Sequence, residues 1–313
     1  MRMREAWVAV SVCVGLSFCV SATASAVGLT RTFLSALTGN DANACSPTSP
    51  CRTFAHAIAV TAAGGEVIAL DSGGYGAVSI SQAVSIIAAP GAYAGITVFS
   101  GDGITINVAA SDAVILRGLT LNGLGGNNGV NFNSGGTLIL ENCFVTNFPN
   151  NGILASTGGS LAVRDTNIKG CGNGIYLSLS AGTLLTSIDH CRLDFNGNGF
   201  QAQSTSGGIT QTSATNSTAN HNFTGWVCGN ASSGIDELHL ESCSASENGG
   251  DGLYSNSSNV LTFLLFSQCV IVNNSGFGVG QGGSGSVQSR ANNSVRLNGS
   301  GSFGGTVGTF PAQ

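Results

Sequence analysis

Asp189 and His190 stand side by side in Ile188-Asp-His-Cys191. A carboxylate and an imidazole there could move protons near neutral pH. Asp194 follows a few residues later. Paired carboxylates cleave glycosidic bonds when one donates a proton and the other activates water or attacks. An arginine such as Arg164 can grip a substrate carboxylate with two parallel hydrogen bonds. The catalytic candidates are therefore Asp189 or Asp194 as acid or base, with Arg164 on an anionic group. Glu141, Lys169 and Arg192 complete the densest group of charges in the chain and are binding candidates. Tyr176 and Tyr254 join them, because their rings could stack on sugars. The competing reading of the charges is a ladder of neutralising surface pairs, each worth about 0–1 kcal/mol. His221 and His239 are isolated histidines and read as structural. No C-x-x-C or H-x-x-x-H spacing occurs, so no metal is expected. No P-loop or dinucleotide fingerprint sits in a strand–helix context, and no cofactor is expected.

The elements that carry these residues follow from composition and period. The N-terminus reads as an export signal: Arg2 and Arg4, an apolar run Ala6–Val20, then small residues with Ala24 and Ala26 before the cut. Residues 1–26 are the expected signal and the product is expected to be secreted, extracellular or periplasmic. No other stretch is long and apolar enough to span a bilayer. Only 8% of the chain is charged, while 42% is hydrophobic and 47 residues are glycine. Without Arg2, Arg4 and Glu5 there are fourteen acids against eight bases, one of them lysine. A nucleic-acid partner needs a basic patch, and none exists. Eight cysteines remain beyond the signal. Cys45 and Cys51 bracket a short proline-containing loop and are expected to pair, since export permits disulfides.

A repeat of 22 to 27 residues organises the rest. Its register mark is a glycine followed by an apolar residue, at Gly129, Gly152, Gly174, Gly199, Gly225, Gly252 and Gly276. In phase with it, Leu138-Ile-Leu-Glu-Asn-Cys143, Leu161–Thr166, Thr186–Cys191, Thr212–Ser217, Leu238–Cys243 and Leu264–Cys269 superimpose. Period-two alternation means strands with one buried face. Three short strands per repeat predict a parallel β-helix of about ten coils, with an interior made of ladders of like residues. One predicted ladder is Cys143, Thr166, Cys191, Ser217, Cys243, Cys269. Another is Ile153, Ile175, Phe200, Trp226, Leu253, Phe277, with Phe200, Trp226 and Phe277 as core. The column Asn142, Asp165, His190, Asn216, Ser242, Gln268 should fall at a bend. Glycine is expected where bends need positive φ. Outward positions put Glu141, Arg164 and Asp189 in one column, and Lys169 and Asp194 in a nearby one with Arg192 between.

Thr53–Ala63 is the one expected helix, ended by Gly64-Gly65, and reads as an N-terminal cap. The expected division is residues 27–65 for strand, disulfide loop and capping helix, and 66–313 for the β-helix. The tail after Gly299 shows no cap.

With Arg31-Thr-Phe, Cys45, Cys51-Arg-Thr-Phe54, Gly64-Gly65 and Asp71-Ser-Gly-Gly-Tyr-Gly76, the chain resembles bacterial secreted right-handed parallel β-helix repeat proteins of the pectin-lyase-like superfamily. The resemblance spans about Arg31 to Asn298. It implies an all-β, single-stranded right-handed solenoid, and a group that includes pectate lyases, polygalacturonases and epimerases as well as members of no known activity. Ile188–Cys191 is similar to a pectate lyase segment. Yet the neighbours of Asp189 in adjacent coils are Arg164 and Thr215, a poor calcium cage. The lyase Arg-x-Pro-x-x-Arg segment and the polygalacturonase carboxylate pattern are absent. The expected function is a non-catalytic protein binding carbohydrate or a partner. The alternative is a polysaccharide lyase or glycoside hydrolase acting on an acidic glycan.

Overall fold

The computed structural model describes residues 28–230, 233–257 and 261–310. The expected export signal lies outside these. No helix among the described residues is long and apolar enough to cross a membrane. The chain winds into a solenoid of parallel strands. A twelve-stranded first sheet runs from Leu29–Leu34 to Val307–Thr309, and a ten-stranded second sheet from Val78–Ile80 to Gly301–Gly304. A third sheet of short strands runs from Gly73–Gly74 to Asn167–Lys169, and single bridges carry it on through Arg192, Thr218 and Ser244 to Val270. One coil reads Thr137–Glu141 in the first sheet, Phe144–Thr146 in the third and Asn151–Ala155 in the second.

The repeat register holds. Leu138, Leu161, Thr186, Thr212, Leu238 and Leu264 pair in order along the first sheet. In the second sheet Ile153, Ile175, Phe200, Trp226 and Leu253 do the same, but the next partner is Val279, not Phe277. Phe277 is only half-buried. The sequence offers two glycines two residues apart, Gly276 and Gly278, and it is Gly278 that continues the column.

Close approach, not turn conformation, selects that glycine column. None of its members has a positive φ. A Cβ added to Gly103, Gly129, Gly152, Gly174, Gly199, Gly225 or Gly252 would stand 2.4–2.8 Å from the carbonyl oxygen of the glycine one coil on. The glycines are there because successive backbones lie too near each other for a side chain.

The bends that do need positive φ use other residues. Asn142, Asp165, His190, Asn216, Ser242 and Gln268 all lie at φ between 49° and 55°. This left-handed conformation suits short polar side chains better than most. The residue after each is the buried Cys/Thr/Ser ladder. Each of these side chains donates to the carbonyl two residues back. Cys143 Sγ reaches Glu141 O at 3.4 Å, Thr166 Oγ1 reaches Arg164 O at 2.8 Å and Cys191 Sγ reaches Asp189 O at 3.3 Å. Ser217, Cys243 and Cys269 repeat the contact at 2.7, 3.4 and 3.2 Å. Thiol and hydroxyl are interchangeable here as small donors. Burial pushes the Cys143 and Cys269 thiols up to about 11 and those of Cys191 and Cys243 to about 12, so all four stay protonated and able to donate.

A second bend, between the third and second sheets, follows the same rule. Phe195, His221, Glu247, Asn273 and Leu297 have positive φ. Each is followed by an asparagine. The side chains of Asn222, Asn248, Asn274 and Asn298 accept from the backbone N–H of Asn196, Asn222, Asn248 and Asn274 at 2.7–3.0 Å.

At the N-terminal end the helix is shorter than expected, Phe54–Val60, with Thr53 as its N-cap. Thr61 already has extended backbone, and strand Thr61–Ala69 runs through Gly64-Gly65, so those glycines do not end the helix. Pairing with Leu29–Leu34 in the first sheet outweighs the helical pattern after Val60. The division expected after residue 65 falls inside this strand. Cys45 and Cys51 form the disulfide. Asp41 ties that loop to the cap by accepting from the N–H groups of Arg52 and Thr53 at 2.7 and 3.0 Å. At the other end Gly301–Gly304 and Val307–Thr309 extend two sheets through the glycine-rich tail.

The six other cysteines among the described residues are buried and unpaired. An alkylating reagent should therefore label none of them in the folded protein and all six after denaturation in the absence of a reductant. Cys191→Ser should keep the folded stability within about 1 kcal/mol, because a hydroxyl already fills this position in adjacent coils. Gly199→Ala should instead lower stability by about 1–3 kcal/mol, read as a lower urea midpoint, since its Cβ meets both Gly225 O and Ala219 Cβ at 2.7 Å.

Candidate functional site

Outward residues of the first sheet form three columns parallel to the solenoid axis. The central one is Ile139, Ala162, Ser187, Ser213, His239, Leu265, Gln288. On one side run Ser160, Leu185, Gln211, Glu237 and Phe263. On the other run Arg117, Glu141, Arg164, Asp189, Thr215 and Glu241. Three consecutive small residues, Ala162, Ser187 and Ser213, leave a trough between taller neighbours. It forms a hollow of about 380 Å³ walled by Leu185, Gln211 and Glu237 on one side and by Arg164 on the other, with His239 at its end. A second hollow of about 220 Å³ begins at Ser213 and His239 and continues past Glu241 and Gln288 to Arg290 and Phe310. Joined at His239, the two span seven coils, about 29 Å at a strand spacing of ~4.8 Å.

The expected site residues divide around the first bend. Arg164 is exposed and lines the trough, where its only ion pair among the described residues is Glu141 at 3.9 Å. Glu141 makes its closer pair with Arg117, at 2.6 Å. Asp189 sits at the edge of the same face. It accepts from Thr215 Oγ1 at 2.7 Å and Asn216 Nδ2 at 3.3 Å, and pairs with His190 Nδ1 at 3.0 Å. The hydrogen bonds from Thr215 and His190 hold its carboxyl below the ordinary aspartate range. The same contact raises His190.

Asp194, Lys169 and Arg192 lie beyond the bend, along the third sheet. Asp194 accepts from Thr218 Oγ1 at 2.9 Å and from the Asn220 N–H at 2.8 Å. Lys169 lies over the Phe144 ring at 5.2 Å. Tyr176 and Tyr254 share an outward column of the second sheet, with Gln201 and Val227 between them. Arg164 and Asp189 thus share a face with Glu141, while the other candidates do not converge on it. His221 bonds Glu247 at 2.8 Å and stacks on Phe195, as suits a structural histidine.

The crystal structure of the pectate lyase Pel9A superimposes with a TM-score of 0.61 at 14% identity, over 86% of this chain and 80% of that one. The complex of XylC with xylose gives 0.47 at 10% identity, over 78% and 69% of the two chains. The A-module of the mannuronan C-5 epimerase AlgE4 from Azotobacter vinelandii gives 0.45 at 10%, over 80% and 91%. The fold is a right-handed parallel β-helix like that of the pectate lyase. No family model and no curated protein matches the sequence.

The β-helix also displays residues that their spacing in sequence did not single out. Glu237, His239 and Glu241 alternate outward along strand Ile235–Glu241, with Leu238 and Leu240 buried between them. Gln211 Nε2 donates to Glu237 at 2.9 Å. The signal was present as Glu-Leu-His-Leu-Glu, acid and imidazole at every second position. Asp236, on the same strand, points into the core. It accepts from Ser204 Oγ and Thr210 Oγ1, both at 2.6 Å, and burial raises its carboxyl. Enclosed there, it serves the structure.

The Asp189–His190 contact gives a direct pH test. His190 should titrate above its ordinary 6.5 in an NMR experiment, and Asp189→Asn should return it towards that value. Because the folded value is raised, the pair's contribution is fully present below pH 6.5, as long as Asp189 stays ionised, and fades as pH rises through the folded value. An unshifted His190 in the wild type would remove the contact.

Proposed function

We propose that this protein is a non-catalytic glycan-binding β-helix that holds a polysaccharide chain along the outer face of the first sheet. The observation that carries this reading is the trough over Ala162, Ser187 and Ser213. It is open and elongated along the axis, and it is lined by groups that bind sugars. Leu185 offers an apolar wall, Gln211 and the serines offer hydrogen bonds, and Arg164 offers a charge for an acidic substituent. The likeness of fold to a pectate lyase is in keeping with a glycan partner.

The state of the two candidate acids favours binding over turnover. A general acid needs a carboxyl that keeps its proton near the working pH. Asp189 is shifted the other way, and Asp194 is committed to Thr218 and Asn220. One arrangement favours turnover as a second reading: Glu237, His239 and Glu241 stand in line where the two hollows meet. As lyase or hydrolase the protein would use groups of that strand, with Arg164 on a uronate.

Affinity electrophoresis in gels containing pectin, alginate or xylan separates these outcomes. Retardation of the wild type by at least one polymer is expected. Ser187→Trp, which fills the trough from an exposed position, should weaken it at least about tenfold, a change of about 1.4 kcal/mol. Equal retardation of both proteins by every polymer would sink the groove. Release of new chain ends from any polymer, lost in Glu237→Gln, would establish the enzymatic reading instead.

A further inference from the structure

The second sheet carries a separate hollow of about 220 Å³ on its outer face, lined by Asn198, Gln201, Gln203, Val227, Tyr254 and Asn256 among others. No charged side chain lines it. The next coil sets the position of the Tyr254 ring. Tyr254 pairs with Gly280, and Gly282 lies two residues further along the same strand. A Cβ on Gly280 would stand 3.0 Å from Tyr254 Cδ2, and one on Gly282 would stand 2.6 Å from the phenolic oxygen. The ring therefore lies down along strand Phe277–Gly283, over two positions that have no side chain. The ring is half-buried and borders the hollow.

The amides beside it are ordered by one another. Tyr176 OH donates to Gln203 Oε1 at 3.1 Å, Gln201 Nε2 reaches the same oxygen at 3.2 Å, and Asn198 Nδ2 donates to Gln201 Oε1 at 3.0 Å. Asp251 flanks the ring, its Oδ2 next to Gly280 and its Oδ1 accepting from the Phe277 N–H at 2.7 Å.

We infer that this face is a second binding site, for an uncharged pyranose, which stacks on Tyr254 and gives its hydroxyls to Gln201, Gln203 and Asn256. A flat aromatic face suits the apolar side of a sugar ring, and carboxamides both donate and accept, as hydroxyls require. The lining settles the class of sugar: no cation is there to pair with a uronate, and Asp251, beyond the ring rather than in the hollow, adds negative charge against one. The site uses none of the residues of the first-sheet groove, so it stands or falls independently of that groove.

The test is titration calorimetry with uncharged oligosaccharides of xylose, glucose, mannose and galactose, and with oligogalacturonate. At least one uncharged set should bind. Tyr254→Ala should weaken that binding at least about tenfold, and Gly282→Ala should also weaken it, by lifting the ring without removing it. Gln203→Ala should weaken it as well, which keeps the site testable if a ring variant does not fold. Ser187→Trp should leave the Tyr254-dependent part of the binding unchanged. Absence of binding by every uncharged sugar, equal binding in wild type and Tyr254→Ala, or Tyr254-dependent binding of oligogalacturonate would each overturn the inference.

Discussion

At seven glycines of the second sheet, the backbone of one coil lies so close to the next that a single methyl group would collide with a carbonyl oxygen. Much of the molecule depends on that contact. It ties each coil to its neighbour at a fixed point, so residues 22 to 27 apart in sequence fall into columns. A one-residue slip in a strand would turn its core outward. The glycine column resists such a slip because only glycine fits there. Columns then select residues by chemistry rather than by identity. The first bend needs a small donor after a left-handed residue, and cysteine, threonine and serine all serve. The second bend needs a side chain that accepts from a backbone amide of the preceding coil, and asparagine serves.

A surface built from columns favours elongated partners. Sites in globular enzymes close around a substrate and draw groups from several directions. Here every side chain of a sheet points along one normal, and neighbours differ mainly in height. Relief comes from size: three small residues in succession make a trough, and two glycines make a seat for a ring. Charge is sparse, and most of it stands in columns one coil apart. Where acids occur, adjacent coils absorb them, as Thr215 and Asn216 do for Asp189. The outcome is a surface whose relief runs along the solenoid axis.

The repeat was legible because burial leaves a period-two trace in each strand and because the bends recur in phase. Thr186 could be aligned with Leu161 and Leu238 without any structure. Phe277 could not be placed, since Gly276-Phe-Gly278 offers two registers and only the pairing of Leu253 with Val279 chooses. The helix was overrun by three residues because Thr61-Ala-Ala63 has a helical composition and its strand partner lies some thirty residues earlier. The glycine column was visible but its cause was not, as close approach leaves no mark on a single chain. Buried asparagines after the second bend were hidden by a surface equally rich in asparagine. The trough was hidden for a related reason. Ala162, Ser187 and Ser213 are ordinary one by one, and their meaning depends on Leu185 and Gln211 standing beside them.

The bend that carries His190 also explains why the charged residues that look clustered in sequence do not work together. Asp189 and Asp194 are five residues apart, yet the left-handed residue between them turns the chain from one sheet to another. Asp189 remains on the first sheet and Asp194 passes to the third, each bonded to the coil after its own. Closeness in sequence across such a bend is separation in space, whereas residues a full coil apart, such as Arg164 and Asp189, are neighbours. In a solenoid the informative spacing for chemistry is therefore the length of the repeat. By that measure the groups able to meet one ligand on the first sheet are Arg164, Gln211, Glu237 and His239, drawn from neighbouring coils.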